Sequence, residues 1–223
     1  MRTQTRSKPI APRETRTPRR GARGQTALSA ITRAAILTSA RAVLVKEGAA
    51  RFTVRRVAEA AKISSGNMMY HFPTKQHLLR ALIRELLESD QVELERAMQD
   101  ISAPAQRVEA LIRKLVKMGL DPESNAYYCE LHAMAIRDAT MARLLAKYYE
   151  QGMAYAVEHL AKSAPQVDRS RHVAVVQMMV AISEGAGLLS GLPFSPGAFN
   201  PEAIADLAGR LLGSMLSEER RPA

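Results

Sequence analysis

The sequence predicts an all-α fold of about nine helices, a three-helix N-terminal unit followed by a larger helical half, and three observations carry that expectation. The 223 residues are 47% hydrophobic but only 4% aromatic, with no Trp, and Ala, Leu, Arg and Met recur throughout; that composition suits helices packed on helices. Apolar residues recur at three- and four-residue spacing, with no strand-like alternation and no internal repeat. Helix start and stop residues (Gly48, Thr53, Ser64, Thr74, Pro104, Pro122, Pro165, Pro201) punctuate the pattern at helix-length intervals.

Charge is unevenly spread. Residues 1–24 hold eight Arg or Lys against Glu14 alone, +7 of the chain's +10, which leaves +3 on the remaining 199 residues. Residues 1–27 also contain Pro9, Pro12, Pro18, Gly21 and Gly24 and almost no large apolar side chain, so they read as a disordered basic arm suited to the phosphate backbone or the minor groove of nucleic acid. No apolar run approaches the roughly 18 uninterrupted residues of a membrane span, and no partner membrane is expected. The N-terminus lacks a signal peptide's apolar core, and the single Cys129 cannot form an internal disulfide; both suggest the cytoplasm.

Taken in order, the first helix should run from about Ala30 to Glu47, with Ile36, Ala40, Val43 and Leu44 on one face, Gly48 ending it and Phe52 packed beneath. Thr53 caps a short helix buried at Val54, Val57, Ala58 and Ala61. Lys62-Ile63-Ser64 breaks it, with Ile63 as the inward plug and Ser64 as the next cap. A second short helix, Ser65 to His71, turns Met68 and Phe72 inward. Thr74 caps a long helix from Lys75 to about Gln99, spanning about 37 Å, with Leu78, Leu79, Leu82, Leu86 and Val92 inward and its outer face laced with charge. Further helices are expected at about 105–120 (apolar at Val108, Leu111, Ile112, Leu115 and Met118), 124–137, 141–162, 169–189 and 201–219. The domains are then the arm, 1–27; a DNA-binding unit, 28–74; a connecting helix, 75–102; and a ligand-binding and dimerisation domain, 103–223.

Two short helices joined by a tight turn, the first apolar and the second small and polar, form a helix-turn-helix: one packs on the core while the next projects into the DNA major groove. Ser65 and Gly66 are small enough to bring backbone to a groove wall. Asn67 can hydrogen-bond a base edge, most naturally adenine, and Met69 can press on a thymine methyl. Tyr70 and His71 can donate to phosphate oxygens. Lys75 sits in a first helical turn where the dipole opposes it, and a phosphate would supply what the helix does not.

Residues 31–79 resemble the N-terminal domain of the TetR family of bacterial transcriptional regulators. The resemblance rests on Thr32, Arg33, Ile36 and Leu37; on Gly48; on T-V-R-x-V-A-E-A-A from Thr53; and on S-x-G-N-x-x-Y-H-F-P-T-K from Ser64 to Lys75. It implies phosphate contacts at Thr53, Arg55, Tyr70, His71 and Lys75, and approach to bases at Ser65, Gly66, Asn67 and Met69, beside the capping Ser64. Two departures stand out. Lys62 replaces the family's usual turn glycine and must then adopt a left-handed conformation, at a cost on the order of 1 kcal/mol. Met69 and Ser65 replace a frequent tyrosine and lysine, which puts the operator sequence out of reach.

Beyond residue 102 no DNA-reading pattern appears. The small residues Ala181, Gly185 and Gly187, then Ala205, Ala208, Gly209 and Gly213, suggest two helices that meet the same pair of a second copy, with close packing within one chain as the alternative; the resemblance implies dimerisation through the last two helices. The resemblance also implies an inducer pocket between residues 105 and 189. There Met118, Tyr127, Tyr128, His132, Tyr155, Met178 and Glu184 interrupt apolar faces with adaptable or polar side chains. Cys129 and His132 have the spacing of two metal ligands, but no second pair completes a site, so no metal and no cofactor are expected. His159 and His172 read as helix-surface residues. With no phosphate loop, no G-x-S-x-G and no paired carboxylates, no enzyme is expected. The expectation is a homodimeric repressor of a palindromic operator, released by a small-molecule inducer. An activator, a ligand-independent regulator or a non-specific architectural DNA binder would share the same N-terminal unit.

Overall fold

The computed structural model describes residues 20–217, with side chains from residue 28. Among them are nine helices and no strand: α1 (Arg20–Glu47), α2 (Val54–Ala60), α3 (Ser65–His71), α4 (Lys75–Met98), α5 (Pro104–Leu120), α6 (Pro122–Arg137), α7 (Ala139–Ser163), α8 (Arg169–Ser190) and α9 (Pro201–Ser217). One expected boundary moves: α1 starts at Arg20, not near Ala30. No proline falls between Pro18 and Glu47, and the helix runs through Gly21 and Gly24 despite their low propensity. The rest of the expected arm, residues 1–19, lies outside the described residues.

The N-terminal unit is assembled by caps. Gly48, at φ +79°, ends α1. Thr53 Oγ1 accepts the Arg56 N–H at 3.1 Å, Ser64 Oγ accepts Asn67 N–H at 3.1 Å, and Thr74 Oγ1 accepts His77 N–H at 3.3 Å, each satisfying a donor that the first helical turn leaves unpaired. The end of α2 is a Schellman turn. Ile63 N–H reaches Ala58 C=O and Lys62 N–H reaches Glu59 C=O, both at 3.1 Å, with Lys62 left-handed at φ 55°. Ile63 then packs against the core, as the plug reading requires.

Two apolar clusters hold the chain together. One joins Ile36, Leu44, Phe52, Met68 and Phe72 to the first half of α4 and continues into Tyr127 and Leu131 of α6 and Met141 and Leu145 of α7. The other joins the end of α4 to α5, the second half of α7, α8 and α9. The buried stripe of α4 is Leu79, Leu82, Ile83, Leu86, Asp90, Leu94 and Met98. Val92, expected inward, is 44% exposed, because it lies two positions from both Asp90 and Leu94 and so on the opposite face. His172, expected on the surface, is 1% exposed. It opens the inward stripe Val175, Val176, Met179 of α8, and neither ring nitrogen is hydrogen-bonded.

Three of the glycines of α8 and α9, Gly187, Gly209 and Gly213, pack within their own chain. A Cβ on Gly209 would stand 3.1 Å from Glu109 Cα and one on Gly213 3.0 Å from Ala105 O, while Gly119 and Gly187 face each other across α5 and α8. These glycines let α5 cross its own chain's helices closely. What α8 and α9 turn outward is large and apolar: Leu188 of α8 and Leu207 and Leu211 of α9 are each more than half exposed.

Candidate functional site

The α3 segment is short, and two residues set its orientation. Met68 and Phe72 are fully or almost fully buried, and the Arg33 guanidinium lies 4.3 Å over the Phe72 ring while donating to His71 C=O at 3.4 Å. With one side pinned, the other is free. Ser64, Ser65, Gly66, Asn67, Met69 and Tyr70 are exposed, as are Thr53, Arg55 and Lys75; His71 is half-buried. The ten expected DNA-contact residues thus come from the starts of α2 and α4 and from α3 with its cap.

Their side chains differ in freedom. The hydroxyls of Thr53 and Ser64 are committed to capping. Arg55 Nε pairs with Glu59 at 3.1 Å on a largely exposed face, an ion pair that contributes little in water and yields readily to a phosphate. Arg56 is held by Glu47, with Nε and Nη2 each donating to a different carboxylate oxygen at 2.8 Å. Its guanidinium holds the Glu47 carboxyl below the usual range. Lys75 Nζ stands 5.5 Å from the Phe52 ring centroid, while Asn67 and Tyr70 project with no side-chain hydrogen bond among the described residues. Arg51 and Lys62, exposed beside this surface, add charge that the motif did not flag.

A second concavity, of about 540 Å³, lies among α4, α5, α6, α7 and α8. Met118, Tyr128, His132 and Glu184 line it; Tyr127, Tyr155 and Met178 do not. Tyr127, one position and about 100° around α6 from Tyr128, is buried in the first core with the Arg41 guanidinium 4.9 Å from its ring. Tyr155 faces outward on α7 and donates to Glu95. Met178 is 47% exposed because its neighbour Met179 takes the inward position on α8.

The cavity wall is largely apolar; besides Gln91, Asn125, Cys129 and Ser183, its polar side chains fall into one group. Asp90 Oδ2 accepts from Tyr128 Oη at 2.8 Å and from Tyr148 Oη at 2.5 Å. Burial pushes the Asp90 carboxyl up, against the lowering by Tyr148 and Tyr128. Tyr149 Oη donates to Glu184 Oε1 at 2.7 Å and lies 3.1 Å from His132 Nε2, whose Nδ1 faces Tyr128 C=O at 2.9 Å. Since a carbonyl only accepts, Nδ1 carries a proton. Burial, chiefly, raises the phenols of Tyr128, Tyr148 and Tyr149, so they remain donors.

The sequence reading missed Asp90, Tyr148 and Tyr149. A signal for Asp90 was present: a carboxylate four residues after Leu86 on the buried stripe of α4. Cys129 Sγ donates to Asn125 Oδ1 at 3.4 Å, and among the described residues no three His, Cys, Asp or Glu side chains group to hold a metal.

The two geometries have counterparts among known proteins. Residues 36–82 match the family described as bacterial regulatory proteins, tetR family. The HTH-type transcriptional regulator BetI of Rhizobium meliloti (strain 1021) is 26% identical over 167 residues, 74% of this chain and 81% of that one. A transcriptional regulator from Pseudomonas aeruginosa PAO1 shares the fold with a TM-score of 0.68 at 18% identity, over 83% of this chain and 90% of that chain. The multidrug binding protein EbrR, complexed with imidazole, does so at 0.60 and 24% identity, over 86% and 96%.

Proposed function

Because the chain belongs to the TetR family of bacterial transcriptional regulators, we propose that it is a homodimeric, ligand-responsive repressor. The α3 of each protomer enters one major groove of a palindromic operator. Ser65, Gly66, Asn67 and Met69 approach bases, Thr53, Arg55, Tyr70, His71 and Lys75 hold phosphates, and Ser64 caps the reading helix. The observation that carries this reading is α3 itself: anchored by Met68 and Phe72, it leaves its polar side uncovered. The outward face of α8 and α9, with Leu188, Leu207 and Leu211 exposed, supports a four-helix contact with a second copy. A cavity of about 540 Å³ is of the size that takes small molecules, and a protein of the same fold is a multidrug binding protein.

Two connections join cavity to DNA surface. The α4 helix starts one turn after α3 and lines the cavity with Leu87, Asp90, Gln91 and Leu94. On α6, Tyr128, Cys129 and His132 face the cavity, while between them Glu130 Oε2 accepts the Ala49 N–H of the α1–α2 turn at 2.6 Å. A ligand that displaces α6 or α4 thereby tilts the reading helices. It can weaken DNA binding only by its preference for the tilted state, about 1–3 kcal/mol in coupled systems.

The test is competition between an inverted repeat from the DNA flanking the reading frame and random duplex, measured by fluorescence anisotropy across a salt series. Wild type should prefer the repeat. Tyr70→Ala and Lys75→Ala should each weaken both duplexes alike and flatten the log–log salt slope by about 1. Equal affinity for both duplexes in wild type, or unchanged slopes in the variants, overturns the reading.

A further inference from the structure

We propose that the cavity takes an apolar organic cation, a quaternary ammonium or hydrophobic amine, whose charge sits against Glu184 and the faces of Tyr148 and Tyr149. This rests on the reading of the cavity as a ligand site and goes beyond it in naming the ligand's chemistry.

The argument begins with the charged groups on the wall. Two carboxylates, Asp90 from α4 and Glu184 from α8, line it, and no Lys or Arg does; His132 from α6 is the one side chain there able to carry positive charge. The two acids are not equally occupied. Asp90 accepts two tyrosine hydroxyls, and burial pushes its carboxyl up despite the opposing pull of those hydroxyls and of Arg41, which is not on the cavity wall. Glu184 accepts a single hydrogen bond, from Tyr149 to Oε1; among the described residues nothing donates to Oε2. A carboxylate that keeps an unsatisfied oxygen toward an apolar, partly enclosed space costs solvation free energy unless a counter-charge arrives. An anionic ligand would meet the Glu184 carboxylate with no Lys or Arg on the wall to offset it, whereas a cation would meet its attraction.

The aromatic groups act in the same sense. The rings of Tyr148 and Tyr149 stand edge to face, 5.0 Å between centroids, and the His132 ring lies 5.8 Å from Tyr149. With their hydroxyls turned into Asp90 and Glu184, the ring faces are the negative surfaces that remain, and these attract a cation that cannot itself donate hydrogen bonds. Leu87, Leu94, Leu115, Met153, Met179 and Val180, elsewhere on the wall, suit an alkyl or aryl body.

The experiment uses the full chain and three probes that share one alkyl tail: decyltrimethylammonium, decanol and decanoate, titrated calorimetrically below micelle formation. The cation should bind at least about tenfold more tightly than decanoate. In Glu184→Gln, whose amide oxygen still accepts from Tyr149, that preference should shrink about tenfold with decanol affinity unchanged. Decanol or decanoate binding as tightly as the cation overturns the ligand class and leaves the cavity a ligand site. Cation preference undiminished in a folded Glu184→Gln overturns the placement of the charge. No binding by any probe overturns both the class and the ligand-site reading beneath it. If the variant does not fold, the wild-type order of the three probes decides.

Discussion

The two functional regions handle polarity in opposite ways. At the helix-turn-helix end the core takes the apolar side chains (Phe52, Val57, Met68, Phe72) and leaves Asn67, Tyr70 and Lys75 in solvent. At the cavity the wall is mostly apolar, and two carboxylates, three phenols and an imidazole are drawn into it and hydrogen-bonded to one another, one Glu184 oxygen excepted. The first arrangement leaves stability and recognition to different residues. In the second the same residues carry both, because each buried polar group needs its partner.

That contrast can be broken most sharply at Met68. Met68→Ala removes a fully buried side chain and should cost about 2–5 kcal/mol in urea unfolding; a cost below about 1 kcal/mol would mean that α3 is not held from beneath. Asn67→Ala tests the other half of the claim. It should leave unfolding unchanged, cost about 1–3 kcal/mol of operator affinity and relax preference at one base pair. Affinity lost with stability would assign Asn67 to structure. Lys62→Gly should stabilise by about 0.5–1 kcal/mol, since φ 55° at the end of α2 strains any side chain with a Cβ; no gain would mean that the lysine compensates in another way.

The smallest effect is expected at Asp90, and its sign is specific. Burial raises the folded-state pKa of this carboxyl, so the favourable contribution belongs to the protonated form: present below the unfolded carboxylate pKa, lost as pH rises through the folded value. Asp90→Asn keeps an oxygen for Tyr128 and Tyr148 and carries no charge. Its melting temperature should therefore equal or exceed wild type at neutral pH, with the advantage vanishing as pH falls below the ordinary aspartate range. A variant less stable at pH 7 than wild type would show that the charge, with Arg41 nearby, is net favourable, and the two regions would then differ less than their burial suggests.

The helix-turn-helix end was legible because its determinants are local. Thr53, Ser64 and Thr74 cap within three residues of themselves, Lys62 closes a turn with Glu59, and Met68 and Phe72 are one helical turn apart. The cavity was legible only in outline. Met118, Tyr128, His132 and Glu184 were placed on it, but Tyr127 and Met178 each missed by one position, because adjacent helix residues point about 100° apart and the face turned inward depends on neighbours distant in sequence. Val92 and His172 were misplaced for the same reason. Of the small residues, Gly209 and Gly213 meet α5 of their own chain, the alternative to a second copy, and spacing along α9 cannot distinguish the two.

By itself, then, the sequence determined the helix count, the caps, the inward pair beneath α3 and the residues it shows to solvent, since hydrogen bonds and amphipathic spacing within one or two turns decide these. Tertiary structure alone decided the rotation of α4, α6, α7 and α8 about their axes. Rotation is set by which side chains from remote segments fill the same space, and it is what brings Asp90 to Tyr148 across 58 residues and Tyr149 to Glu184 across 35.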